Sequence, residues 1–376
     1  MNKLRKLMRF ISIYGIGMTL FKVFGRLRLT RLGLHPRRGA NIGVLGSGQY
    51  AFATIGFALY RHFGNRFVAC FDINREHADS FARFYGIGEP ARTAAELIVR
   101  PEVDYVYIAS NHASHTDYAL QVLAAGEIPY VEKPVSVDHE QFRRLVLGVR
   151  RCERPIYAGY NRPFSQAIRL LKGYCDLVAE PMTLSCFISG HRIGADHWYR
   201  QPQEGTRICG NVGHWLDLAV HMLSWVGLPD QWKITLVFSD ENARDDDMAI
   251  ALTSDRGDLV TIVLTARSEP FEGINETINF QKGSVAAKID DFRSMTVWKG
   301  ETVKRHRFWP KDAGHRLAII QPFFAQRREW HEVELSTLLM LYIKEMVVAG
   351  ECCAEFSFAE EWERVSREDL STEIGA

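Results

Sequence analysis

The feature that most constrains this chain is Asn41-Ile-Gly-Val-Leu-Gly-Ser-Gly-Gln-Tyr-Ala-Phe-Ala53. An apolar run, Ile42 to Leu45, meets Gly46 and Gly48, and small and aromatic residues then recur at helical spacing through Leu59, which predicts strand, tight turn and helix. Glycine carries no Cβ, so the backbone can turn sharply and approach a diphosphate, while the helix beyond offers unpaired N–H groups and a positive dipole end. Ala51 fills the third small position of the Gly-x-Gly-x-x-Gly/Ala pattern. Gly46, Gly48, Gln49 and Tyr50 are therefore candidate cofactor ligands. The bare turn also occurs in proteins that bind no nucleotide, so a second signal is needed. A second apolar strand, Phe67 to Phe71, ends in Asp72, 24 residues after Gly48. That is near the spacing of a carboxylate that accepts hydrogen bonds from an adenosine ribose. An acid there favours NAD, with NADP left open by Arg75; the plain alternative is a helix-capping Asp.

A chain of 376 residues with 47% hydrophobic and 24% charged content is long enough for two globular domains. Seven cysteines without a C-x-x-C pair point to neither a disulfide framework nor structural zinc, and a reducing cytoplasm is expected. Residues 1–38 form a separate electrostatic object, with ten Lys/Arg (Lys3, Arg5, Lys6, Arg9, Lys22, Arg26, Arg28, Arg31, Arg37, Arg38) and no acid. Set apart from the chain's 46 basic residues, they leave 36 against 45 acidic ones, so the body is net −9. The apolar run Phe10 to Phe21 reads as too short to span a bilayer, and no signal-peptide cleavage site follows it. The arm is expected either to lie at an anionic inner-membrane surface or to pack on its own protein or a partner.

Beyond Asp72, helices and apolar strands alternate, which predicts a doubly wound parallel sheet over residues 39–158. The strand Tyr105 to Ala109 ends in Ser110-Asn111-His112-Ala-Ser-His115, and a later strand runs into Glu132-Lys133-Pro134. Ligands bind at such carboxyl edges. The glycine turn, the Ile-Ala-Ser-Asn strand end with its following His, and Glu-Lys-Pro together resemble the Gfo/Idh/MocA family of NAD(P)-dependent oxidoreductases. The resemblance implies a Rossmann domain whose cofactor ligands include Asp72, Ser110, Asn111, His115, Glu132 and Lys133. It also makes Lys133 catalytic, its ammonium stabilising a developing alkoxide.

Residues 159–376 read as an α+β domain with a mostly antiparallel, open-faced sheet, a usual surface for homo-oligomers. Within it lies Asp196-His197-Trp198-Tyr-Arg200 through Gly210-Asn211-Val-Gly-His214-Trp-Leu-Asp217. His214 and Asp217, three apart on a predicted helix from about 211 to 226, share a face. The family carries Asp-x-x-x-His-x-x-Asp here, which implies His214 as proton acceptor and Asp217 as its orienting acid. Gly210 replaces the first Asp, a departure that questions any two-carboxylate mechanism. The whole run is similar to a subgroup fused to alcohol-dehydrogenase-like domains in bacterial polysaccharide clusters. Tyr160, Asn161, Arg162, His197, Trp198, Arg200, Asn211 and His214 are candidate substrate contacts, with His191 and Arg207 beside them; no metal site is expected. The expected activity is NAD-dependent oxidation or reduction of a secondary hydroxyl on a sugar or nucleotide sugar. The alternatives are a catalytically silent sensor or scaffold, and an epimerase or eliminase that recycles its NAD.

Overall fold

The computed structural model describes all residues except 1–2, 29–33, 36, 195, 268–272, 326 and 368–376, so Arg31 of the basic arm lies outside the described residues. Helix α1 (Lys3–Leu27) precedes β1 (Ile42–Leu45), α2 (Gly56–Phe63), β2 (Phe67–Phe71), α3 (Arg75–Tyr85), α4 (Ala94–Ile98) and β3 (Tyr105–Ile108). Then come α5 (His115–Ala124), β4 (Ile128–Val131), α6 (His139–Arg150) and β5 (Tyr157–Ala158). Every pairing among β1–β5 is parallel, in the order β2-β1-β3-β4-β5. The order reverses at β1, so the crevice between the carboxyl ends of β1 and β3 is where a ligand can enter such a sheet. Asn74 and Thr93 begin α3 and α4 with side-chain caps, and Gly86 ends α3 in the left-handed conformation.

The second domain adds α7 (Gln166–Tyr174), β6 (Met182–Ser189), α8 (Gly213–Leu223), β7 (Gln231–Phe238), β8 (Met248–Ser254) and β9 (Leu259–Thr265). It continues with β10 (Asn275–Lys282), β11 (Val285–Asp290), β12 (Ser294–Lys299), β13 (Thr302–Arg307), α9 (His315–Ile320), α10 (Trp330–Ala349), β14 (Cys353–Ser357) and α11 (Phe358–Ser366). Among the described residues β6–β14 form one sheet, antiparallel except where β6 meets β9. Burial alternates along β6, β7 and β10. The inner residues pack with those of α7, α8 and α10 in one core, and the outer face exposes Phe187, Val237, Leu259, Trp298 and Val303.

Three segments differ from what their sequence suggests. Residues 332–350 read as an amphipathic helix ending at a glycine cap, but α10 is buried on most sides, from Val333 through Leu341 to Val347, because it packs among α8, α6 and α11. The segment Phe308 to Trp330, which sequence periodicity does not place, contains α9; Ile319 and Ile320 join the Rossmann core, and the Tyr107 hydroxyl donates to the Ile319 carbonyl at 2.7 Å. The short apolar run near the N-terminus belongs to a longer helix. Arg5–Leu27, 23 residues, is by length and composition long and apolar enough to cross a membrane. In the structure that helix kinks at Gly15 (φ 76°) and lays its inner face on the protein, with Phe21 against Phe57, Tyr60 and Phe84.

Candidate active site

At the glycine turn the two glycines do different work. Gly46 has φ 88°, and a Cβ there would stand 2.5 Å from the Ala109 carbonyl oxygen, so only glycine lets β1 turn this close to the end of β3. A Cβ on Gly48 would meet nothing within 4 Å; this side of the turn is open. Gly46, Gly48, Asp72, Ile73, Ser110, Asn111 and Tyr118 line a cleft of about 200 Å³. Asp72 Oδ2 accepts from the Ser47 N–H at 2.6 Å and Oδ1 from the Asn74 N–H at 2.8 Å, which fixes the carboxylate at the cleft wall. Ile73, 89% exposed, and Tyr118 give the cleft an apolar lip suited to a flat ring; sequence reasoning passed over both. A naked turn, a fixed carboxylate and an apolar lip fit the adenosine half of a dinucleotide.

Several predicted ligands are engaged by the protein instead. Gln49 Nε2 donates to the Lys22 carbonyl of α1 at 3.0 Å. Asn111 Nδ2 donates to Glu204 Oε1 at 2.7 Å, clamping the β3 edge to the second domain. His115 is a strut rather than a cofactor ligand: its Nδ1 lies 2.7 Å from the Pro134 carbonyl and its Nε2 3.2 Å from that of Ser110, and burial lowers its pKa to about 4. It thereby fixes the segment that carries Lys133. Glu132 is buried, takes the Tyr130 hydroxyl at 3.1 Å, and is pushed above the usual carboxylate range by that burial.

Lys133 crosses to the second domain, where its Nζ donates to the Gly210 carbonyl at 2.8 Å. Burial lowers its pKa to about 8. His214 lies four residues beyond Gly210, past the π-helical turn Ile208–Val212, and its Nδ1 is buried without a hydrogen-bond partner. Burial first, then the charges of Arg162 and Lys133, hold this imidazole well below its ordinary pKa, so it is neutral. The amine from the end of β4 and the imidazole from α8 thus lie near one half-buried centre, where the ammonium's charge acts on the ring. The Tyr160 ring stands edge-on to His214 at 6.2 Å, and Asn161 Oδ1 and Asn211 Oδ1 are buried acceptors without partners. His315, at the start of α9, is a member of this centre that sequence reasoning missed: its ring lies 6.4 Å from Tyr50, and burial with Arg162, Lys22, Lys311 and Lys133 nearby lowers its pKa to about 3.

Gly210, the departure from the family pattern, has a steric cause. A Cβ there would lie 2.6 Å from the Tyr199 ring and 3.1 Å from His112 Cε1. The loop carrying His197, Trp198 and Tyr199 packs on His112, with the Trp198 and His112 rings 4.6 Å apart, and so fills the space an acid would take. Lys133 finds a carbonyl where a carboxylate is absent.

Asp217 does not orient His214. Both of its oxygens accept from Arg328 Nη1, at 2.6 and 2.7 Å, and Oδ1 also accepts from Ser336. The two residues start from neighbouring positions on the helix, but the buried guanidinium captures the carboxylate. Arg162 is likewise committed, bidentate to Glu276 at 2.8 and 3.0 Å and stacked on Trp215 at 4.2 Å. Arg200 pairs with Asp245 and Asp246, and Arg207 with Asp246. Arg162 and Arg200 are committed to the protein, whereas Arg207 keeps Nε and Nη2 buried without a partner. His197 caps the turn it begins through Nδ1, and His191 is exposed.

Residues 40–160 match the model of the Gfo/Idh/MocA oxidoreductase family, NAD-binding Rossmann fold. Over this stretch the chain is an NAD-binding Rossmann domain of this family. Among similar family proteins, inositol 2-dehydrogenase of Pseudomonas savastanoi pv. phaseolicola is 28% identical over 230 residues, 59% of this chain and 66% of that one. Inositol 2-dehydrogenase of Pseudomonas syringae pv. syringae is 31% identical over 207 residues, 54% and 59% of the two chains. The matched region spans less than two thirds of either relative. The fold is also that of levoglucosan dehydrogenase in complex with NADH and levoglucosan, with a TM-score of 0.69 over 87% of this chain and 100% of that one, at 15% identity.

Proposed function

We propose that this chain is an NAD-dependent dehydrogenase of a secondary hydroxyl on a sugar or cyclic polyol. The observation that carries the reading is the half-buried centre of Lys133 and a neutral His214. Oxidation of an alcohol needs a group that takes the hydroxyl proton and a charge that stabilises the oxygen as it leaves. His214, kept neutral by burial, is ready to accept; Lys133, anchored on Gly210, supplies the positive charge. The unpartnered oxygens of Asn161 and Asn211 are acceptors suited to further hydroxyl groups of the same substrate. A nicotinamide bound beside this centre would take the substrate's hydrogen with its electron pair. With myo-inositol, levoglucosan and nucleotide sugars as candidates, NADH formation at the nicotinamide absorbance band is expected for the wild type. His214→Ala is expected to lose that turnover while still binding NADH; a His214→Ala protein that turns over normally contradicts the reading.

Within the same reading, a nucleotide sugar of surface-polysaccharide synthesis, handled in the cytoplasm, is the finer substrate proposal, supported by the resemblance of the run from Asp196 to Asp217 to the polysaccharide-cluster subgroup. The apolar outer face of the large sheet supports pairing with a second copy of the chain. The exposed Leu7, Met8, Ile16, Leu20 and Leu27 of α1, with Arg5, Lys6 and Arg9, support contact with an anionic membrane surface. Sedimentation of the purified protein and flotation with anionic liposomes test these two contacts.

A further inference from the structure

The N-terminal helix α1 touches both lobes at the crevice between them. On the second domain, the Ser12 carbonyl accepts from Trp309 Nε1 at 3.0 Å, the Ile13 carbonyl accepts from the Lys311 N–H at 2.8 Å, and a Cβ on Gly15 would stand 3.0 Å from Pro310. On the Rossmann side, Gly17 lies against Phe57 and Gly25 against Gln49 and Phe52, close enough that a Cβ at either position would come within about 3.0 Å. The helix ends at the glycine turn itself: Arg28 Nη1 donates to the Ser47 carbonyl and to Ser80 Oγ, both at 3.1 Å, and Asp72 is the acid whose charge it feels.

Two cations lie near this turn. Arg28, just past the end of α1, stands on the Asp72 side. Lys22 of α1 lies beside Gln49, which holds its carbonyl, and its ammonium is 3.9 Å over the Tyr14 ring. Its charge reaches His315, whose ring neighbours Tyr50. No carboxylate among the described residues pairs with Lys22, although it is largely buried and Lys311 adds further positive charge beside it. An amine buried among like charges is costly unless an anion joins it. At a glycine turn left open at Gly48, an anion suited to such cations is a diphosphate.

We propose that α1 is a strap of the cofactor site, in which Lys22 and Arg28 hold the diphosphate of a dinucleotide seated on the Gly46–Tyr50 turn, so that the cofactor exchanges slowly. This rests on the dinucleotide reading above and adds that the arm, outside the matched residues 40–160, is part of the site. A cofactor retained this way is also what a recycling, net-redox-neutral reaction needs.

The test is the dissociation rate of NADH from the full-length protein, read by fluorescence after displacement with excess NAD. Lys22→Gln and Arg28→Gln are each expected to raise that rate tenfold or more, and Lys22→Arg to stay within a few-fold of wild type. Nicotinamide mononucleotide, which lacks the diphosphate bridge, is expected to bind wild type and both glutamine variants equally. A second measurement uses wild type alone: NADH is expected to slow tryptic cleavage after the exposed Arg26 several-fold. Wild-type dissociation rates in both glutamine variants, or cleavage at Arg26 indifferent to NADH, overturns the strap while leaving the dinucleotide reading standing. A wild-type protein that binds no NADH overturns both.

Discussion

The glycine turn and the Gly210–Asp217 segment are each marked by a short motif, yet they are built on different principles. At the turn, sequence neighbours supply the geometry: Gly46 must turn, Gly48 faces open space, and Asp72 lies at the end of the adjacent parallel strand. At Gly210–Asp217 the geometry comes from afar. Tyr199 and His112 exclude a side chain at position 210, Lys133 arrives from the other domain, and Arg328, 111 residues away, takes Asp217. A motif whose work is done by the backbone can be read from sequence; one whose work depends on which charges meet requires the fold.

The comparison breaks most visibly at Lys133. Lys133→Ala is expected to lower kcat by about 10²–10³ with NADH affinity within threefold of wild type, measured by steady-state kinetics and fluorescence titration. Asp217→Ala separates structure from chemistry, because it leaves the buried Arg328 without one of its two acids. A stability loss of about 3–5 kcal/mol is expected in urea unfolding, and the pH dependence of the surviving activity should keep its midpoint, since Asp217 does not touch His214.

Paired alanine substitutions sharpen the contrast. Gly210→Ala presses a methyl into Tyr199 and is expected to cost about 1–3 kcal/mol of stability. Gly48→Ala enters open space and is expected to change stability by less than about 0.5 kcal/mol, while weakening NADH binding at least tenfold because the methyl stands where the diphosphate must approach. Equal stability losses at the two glycines would contradict the distinction drawn here.

The most distributed effect is that of pH on stability. Burial lowers the pKa values of His112, His115, His214 and His315, so in the unfolded chain each takes up a proton near its ordinary value of about 6.5 while the folded protein does not. Stability is therefore intact above that pH and is lost as the pH falls below it. The urea midpoint should drop between pH 7 and 5 with uptake of several protons on unfolding. A midpoint constant to pH 5 would show that these imidazoles are charged in the folded state.

Much of the Rossmann sheet was legible because its strands are short apolar runs punctuated by glycine and capping residues, and most of the second sheet because its strands alternate. β13, with its sequence Thr-Val-Lys-Arg-His-Arg, was not, since an exposed edge strand carries no apolar pattern. α9 was hidden for a related reason: six residues are too few to show a helical period, and their role is to carry Ile319 and Ile320 into a distant core. Lys133 and His214 stood out as residue types, whereas the commitments of Arg162, Arg200 and Asp217 to Glu276, Asp245, Asp246 and Arg328 join residues 45 to 114 positions apart and leave no local trace. The arm's place over the turn was similarly invisible, because nothing in a basic apolar helix says what it lies on.

The most direct measurement is a double-mutant cycle on kcat with Lys133→Ala, His214→Ala and the two combined, each variant saturated with NAD and an oxidisable polyol. If amine and imidazole act on one oxygen in a shared half-buried centre, the double variant will be about as slow as the slower single one. Losses that multiply, as for residues in separate cavities, would contradict it.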